Sequence, residues 1–192
     1  METARISRYL IYLGPLVVVL AWLIIGAAWL LNRDWFVFTR HAFSDLGGPR
    51  SCCPGLYNYG LVLLGVLLAL WGIAATYLAE NKPEAIGASY MVVAGVFLLL
   101  IGIFPSGTRH HVCVSTWFFI QSYWGLSLLL YGQAKRGSRA AKVSLAALLV
   151  SIPLGVLLAL WPGWPSAATL ETYLIVFIDV GVIVASRELS HR

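Results

Sequence analysis

LIYLGPLVVVLAWLIIGAAWLL, residues Leu10–Leu31, carries no charged side chain at any position. As a helix rising 1.5 Å per residue, such a run reaches across a hydrocarbon layer of about 30 Å. It is too long for the apolar stretch of a signal peptide, and no small-x-small cleavage site follows, so it reads as a retained membrane helix. Five similar runs lie downstream, at Tyr57–Ala79, Ile86–Phe104, Val112–Ala134, Ala140–Trp161 and Ala167–Ser186. Inside lipid a continuous run must satisfy its own backbone donors and acceptors, which selects the helix. The expectation is one all-α domain over residues 1–192, a polytopic membrane helix bundle with about six transmembrane helices. Pro15 falls in the first turns of its span, and Pro153, in mid-span, predicts a kink.

Composition agrees. Of 192 residues, 60% are hydrophobic and 11% charged, with a mean hydropathy of +0.84. Soluble domains carry about 25% charged residues, so this chain lacks the polar surface to cover a water-soluble globule. The net charge of +5 does not indicate nucleic acid, because the cations sit in short turns between apolar runs. Arg5, Arg8, Lys82, Lys135, Arg136, Arg139, Lys142, Arg187 and Arg192 fall on one side, and Arg33, Arg40, Arg50 and Arg109 on the other. The positive-inside rule puts the richer side in the cytoplasm. Both termini are then cytoplasmic, in a multi-pass protein of the cell membrane. Trp29, Trp35, Trp117, Trp161 and Trp164 cluster at the outer ends as an interfacial belt.

The connections are unequal. The first outer loop, residues 32–56, is long and rich in Trp, Phe, His and Cys. Long loops in compact proteins are functional or disordered, and this composition argues for order. A short helix through Arg40–Leu46, ending at Gly47, is expected. GVFLLLIGIFPS (Gly95–Ser106) and GVLLALWPGWPS (Gly155–Ser166) agree at six of twelve positions, which suggests stacked hairpins. LGVLLALW also occurs from both Leu64 and Leu154, in helices of opposite direction. Chance in a Leu/Gly/Val-rich chain accounts for both matches as readily.

The unusual polar chemistry lies in two segments predicted to share the outer face, HAFSDLGGPRSCC (His41–Cys53) with GLYNYG (Gly55–Gly60), and GIFPSGTRHHVC (Gly102–Cys113). His41 and Asp45, four apart, would share a helical face beside Ser44. Asp45 either pairs with Arg50 or Arg109 as a clasp holding the loop, or orients a histidine. His110 and His111 with Asp45 are the catalytic candidates. A zinc site built from His110 and His111 with His41 and Asp45 suits His and carboxylate chemistry but not the spacing of any familiar motif. Histidines bonded to loop carbonyls or facing lipid phosphates are the plainer reading, and no resident metal or cofactor is implied. Arg50 and Arg109 either snorkel or hold an anionic head group. The ligand-binding candidates are His41, Ser44, Asp45, Arg50, Asn58, Arg109, His110, His111 and Glu171, and the implied partners are membrane lipids. Cys52, Cys53 and Cys113 allow one bridge, best drawn from Cys52 or Cys53 to Cys113, because a vicinal bridge is strained. In the last span Asp179 lies near mid-depth and is a functional candidate by position. It either bonds to Ser, Thr, Tyr or Gln121 of a neighbouring helix or forms part of a proton path.

SDLG, then YNYG opening the second span, then GIFPSG followed by a histidine opening the fourth, resembles the six-helix membrane family catalogued as domain of unknown function 998. The matching positions are Ser44, Asp45, Gly47, Asn58, Gly60, Pro105 and one of His110 or His111, within a likeness running from Leu10 to Ser186. The doubled cysteine and doubled histidine depart from that pattern. The resemblance implies a fold but no activity. The motif layout is also similar to the eukaryotic DRAM and Frag-type membrane proteins, which are linked to lipid and membrane homeostasis. Three functions follow as expectations. The leading one is lipid or small-anion handling at an outer-face pocket. The others are an intramembrane hydrolase, with or without zinc, and a proton-coupled small-solute transporter around Asp179.

Overall fold

The structure, a computed structural model, describes residues 2–191, with side chains from residue 6 onward. Arg192 and the side chain of Arg5, both counted above, therefore lie outside the described residues. The described residues include seven α-helices: α1 (Glu2–Leu10), α2 (Leu13–Leu31), α3 (Pro54–Leu78), α4 (Lys82–Ile103), α5 (His111–Lys135), α6 (Arg139–Leu160) and α7 (Ala167–Ser190). There is no strand among the described residues. Six stretches are long and apolar enough to cross a membrane, α1 and α2 combining as Ile6–Leu31. An even number of crossings returns both ends to one face, the terminal face. Residues 32–53, 104–110 and 161–166 form the opposite, loop face.

Helix starts follow local chemistry. Asn81 caps α4 by accepting from Glu84 N at 3.0 Å, and Ser138 and Ser166 do the same for α6 and α7. Pro54 and Pro83 sit in first turns, where a missing N–H has no consequence. The break between α1 and α2 falls at Ile11–Tyr12. Pro15 cannot donate to the Ile11 carbonyl, which accepts from Gly14 N at 3.3 Å instead. Pro15 thus lies inside a longer helical stretch that starts at Glu2, earlier than the apolar run suggests. Pro153 is contained within α6, which runs unbroken to Leu160.

The bundle core is built on close backbone approach. A Cβ placed on Gly95 would lie 2.6 Å from Ala69 N and 2.7 Å from Gly65 O, so α3 and α4 touch main chain to main chain. Gly87 and Gly125 bring α4 and α5 together in the same way, a Cβ on Gly87 meeting Gly125 O at 2.5 Å. Lipid offers little hydrophobic drive between helices, so such small-residue contacts carry the packing. Two buried side chains tie α7 to this core. Trp71 Nε1 donates to Ser186 Oγ at 2.9 Å, and Gln133 Nε2 donates to the Ala185 carbonyl at 3.2 Å. α6 lies at the periphery and exposes Val143, Leu149, Val150, Val156, Leu157 and Leu160, as a lipid-facing helix would. The two similar dodecamers therefore occupy unlike environments: Gly95 packs against backbone, whereas Gly155 faces the Tyr173 ring.

On the terminal face, Glu84 is fully buried. Its carboxylate accepts from Glu80 N at 3.1 Å and Asn81 Nδ2 at 2.9 Å, while Arg136 pairs with both Glu80 and Glu84. Asn81 Nδ2 also reaches Gly132 O at 3.3 Å. This cluster locks the α3–α4 turn to the end of α5.

Candidate functional site

The long loop is ordered and folds over the loop face. The expected helix through Arg40–Leu46 is instead a 3₁₀ turn at Phe43–Gly47. Asp45 decides the difference, because its Oδ2 accepts from Ala42 N at 2.9 Å while its own N–H donates to Ala42 O at 3.1 Å. That closes a three-residue ring too tight for an α-turn. Gly47 stays glycine because a Cβ there would run into the Asn58 side chain, whose Nδ2 donates to Gly47 O at 2.9 Å. Ser106 Oγ donates to Asp45 Oδ1 at 3.2 Å, bringing in the 104–110 turn. Asp45 is therefore a clasp, but its partners are Ala42 and Ser106; among the described residues it pairs with neither Arg50 nor Arg109.

The histidines are also held locally. His41 does not share a helical face with Asp45. Its Nδ1 accepts from Val37 N at 2.9 Å, and its ring stacks on Phe36 and meets Trp35 edge-on. His111 Nδ1 lies 2.8 Å from the Phe104 carbonyl, and His110 packs against the Phe104 ring. Asp45 thus has no hydrogen bond to a histidine, the contact the hydrolase reading requires. Among the described residues no three His, Cys, Asp or Glu side chains converge as metal ligands would. Arg50 lies over the Trp35 ring at 4.8 Å and borders a shallow groove with His41, Asp45 and Ser106. Arg109 is exposed and does not line that groove.

All three cysteines are free, and the bridge expected from Cys52 or Cys53 to Cys113 is not formed. Cys52 is anchored to the end of α2, its N–H donating to Asn32 Oδ1 at 2.9 Å and its thiol to Leu31 O at 3.4 Å, whereas Cys113 is exposed on the first turn of α5. The single Cys52 S–H is shared between Leu31 O and Cys53 Sγ, the latter 3.3 Å away. Donation requires the proton, so the bond to Cys53 raises the Cys52 pKa above the usual thiol value.

The feature that gathers unusual chemistry is a cavity of about 110 Å³ within the bundle, roofed by Phe43 and Ser44 of the 3₁₀ turn. Its walls are apolar and come from α2 (Val17, Ala21, Ile25), α3 (Leu61, Leu64), α4 (Leu98, Ile101) and α5 (Phe118). One wall is a single face of α7, where Glu171, Ile175, Ile178, Asp179 and Val182 recur at helical spacing. Each acid is fixed through one oxygen. Glu171 Oε2 accepts from Phe43 N at 2.8 Å, and Asp179 Oδ2 accepts from Trp22 Nε1 at 2.8 Å. The Asp179 partner is thus an indole on the first span, not the Ser, Thr, Tyr or Gln121 expected. His111 and Ser44 join Glu171 at the loop-face end of the cavity. Of the proposed site residues, the structure brings together Ser44, His111, Glu171 and Asp179 around the cavity. It places His41, Asp45 and Arg50 around the outer groove, and Asn58 between α3 and the loop. Tyr57, Phe43 and Trp22 also shape the site, although their residue types alone gave no such signal.

These features define a class: a six-span α-helical membrane protein whose folded loop closes one end of an acid-bearing apolar cavity. The family model described as Protein of unknown function (DUF998) matches residues 15–188, and the chain belongs to that family. No curated protein and no solved structure matches the chain.

Proposed function

We propose that the protein is a non-enzymatic lipid-handling protein that admits the apolar chain of an amphiphile into the cavity between α2, α3, α5 and α7. One observation carries this reading: the interior holds a space of about 110 Å³ walled by aliphatic and aromatic side chains, with polar groups only at chosen points. Ligand sites have this character, apolar walls with a few placed polar groups. A dry apolar void of about 150 Å³ binds benzene-sized molecules, so this one takes a chain segment rather than a whole lipid. The terminal face, rich in Lys and Arg, is cytoplasmic in this reading, and the loop face meets the outer leaflet of the cell membrane. Photo-crosslinking tests it. Full-length protein in bilayers is exposed to an alkyl amphiphile carrying a diazirine in its chain, and the labelled peptides are mapped. Labelling of the cavity-facing segments of α2, α5 and α7 supports the reading, and labelling confined to the lipid-facing surface of α6 defeats it.

A second reading, a proton-coupled carrier, draws on Asp179 opening on the same cavity as Glu171 rather than lying in close-packed interior. It predicts pH-gradient-dependent solute uptake into proteoliposomes that Asp179→Asn abolishes; uptake that survives the substitution removes it.

A further inference from the structure

Resting on the amphiphile reading above, the geometry points to the chemical class of the head group: we propose that the cavity selects single-chain amphiphiles whose head donates hydrogen bonds and carries no negative charge. The polar atoms that face the cavity are overwhelmingly acceptors. Glu171 and Asp179 each use one oxygen on a protein donor, and among the described residues neither second oxygen has a protein partner. His111 Nδ1 faces a carbonyl, which can only accept, so Nδ1 holds a proton, and in that tautomer Nε2 is the ring's acceptor. Ser115 Oγ donates to Val112 O at 3.1 Å, which leaves its lone pairs for the cavity. The hydroxyls of Ser44 and Tyr57 can act either way. Among the described residues no Lys or Arg lines the space.

A carboxylate or phosphate head would therefore enter a site with two carboxyls, no cation and few donors. Its desolvation would go uncompensated. An amine or hydroxyl head supplies what the walls lack. The first residue of α5 and the second turn of α7 place His111 and Glu171 at the loop-face end, so the head sits there. The first few methylenes of the chain then fill the space against Leu61, Phe118 and Ile178; Asp179 lies eight residues beyond Glu171 along α7, about 12 Å of helix rise. This placement differs from an anion site built on Arg50 and Arg109, which the folded loop keeps outside the cavity.

Native mass spectrometry of the full-length protein tests the assignment with dodecylamine, dodecanol and dodecanoate as probes. The expected result is that the amine and the alcohol each bind at least about tenfold more tightly than the carboxylate, the range of one charge-assisted hydrogen bond. Glu171→Gln should reduce the amine's advantage over the alcohol while alcohol binding persists. Ala21→Leu, which fills the cavity from α2, should reduce binding of all three; Ser115→Leu does the same from α5 should the first variant fail to fold. Dodecanoate binding as tightly as dodecylamine, with Ala21→Leu still abolishing both, overturns the head-group class and leaves the cavity reading standing. Binding of all three that is indifferent to both cavity-filling variants overturns the cavity reading itself. Unaltered amine selectivity in Glu171→Gln also overturns the assignment.

Discussion

Ala21→Leu makes opposite demands on stability and on binding, and so separates a ligand cavity from loose packing. Ala21 lies on the α2 wall, where its methyl faces a space of about 110 Å³. Empty volume in a protein interior costs about 24 cal/mol per Å³ through lost contacts, which sets a ceiling of about 2.6 kcal/mol for complete filling. A leucine fills part of the space and orders one more side chain, so a net gain of about 1 kcal/mol is expected. The assay is unfolding in mixed micelles with increasing SDS, followed by helical circular dichroism, alongside amphiphile binding to the same preparation. The account predicts a more stable protein that has lost its ligand, the usual trade where a site is kept open for function. A loss of 1 kcal/mol or more would mean that α2 packs closely against α3 and α5 with no room to spare, and the cavity argument would be refuted.

Four further outcomes follow from the packing and the loops. Gly95→Ala forces a methyl against Ala69 N and Gly65 O and should destabilise by about 1–3 kcal/mol. Gly26→Ala, with nothing within 4 Å of the new carbon, should be neutral or stabilising by up to about 1 kcal/mol in the same SDS titration. Arg136→Met removes a guanidinium partner from the buried Glu84 carboxylate. Because Arg136 keeps 31% of its side chain exposed, the loss should be about 1–3 kcal/mol, read by the same titration. Cys52 should react with maleimide slowly near pH 7 and faster as pH rises, because its raised pKa delays the thiolate. Removing its acceptor in Cys53→Ala should lower that pKa and shift the rate profile to lower pH; an unmoved profile means the thiols do not interact.

The spans were legible because an apolar run long enough for the bilayer has a single structural solution. Their ends were not, because polar interfacial residues stay helical: α3 starts at Pro54, α4 at Lys82 and α7 runs to Ser190, each beyond its apolar run. A capping signal was present and passed over. Asn81 followed three residues later by Glu84 is the pattern of a reciprocal cap, and it marks both the start of α4 and the buried carboxylate. At the loop face, the SDLG and YNYG strings located the clasp but not its partners. Asp45 bonds to a backbone amide and to Ser106, and Asn58 to a carbonyl, and residue types cannot announce backbone partners. Glu171 and Asp179 stood out as acids in an apolar span, yet the Trp22 partner lies on a helix 157 positions away. Hydropathy fixes depth within a span but not which spans adjoin. The cavity is a consequence of that adjacency, so it became visible only when α2 and α7 were placed side by side.

The central claim is that an amphiphile's chain lies inside the bundle. A crystal of the protein grown with chain-brominated dodecylamine tests it directly, because bromine is located by its anomalous scattering. The account predicts a bromine peak between Leu61, Phe118 and Ile178, with the amine toward Glu171. Bromine found only against the outer surface of α6 would contradict it.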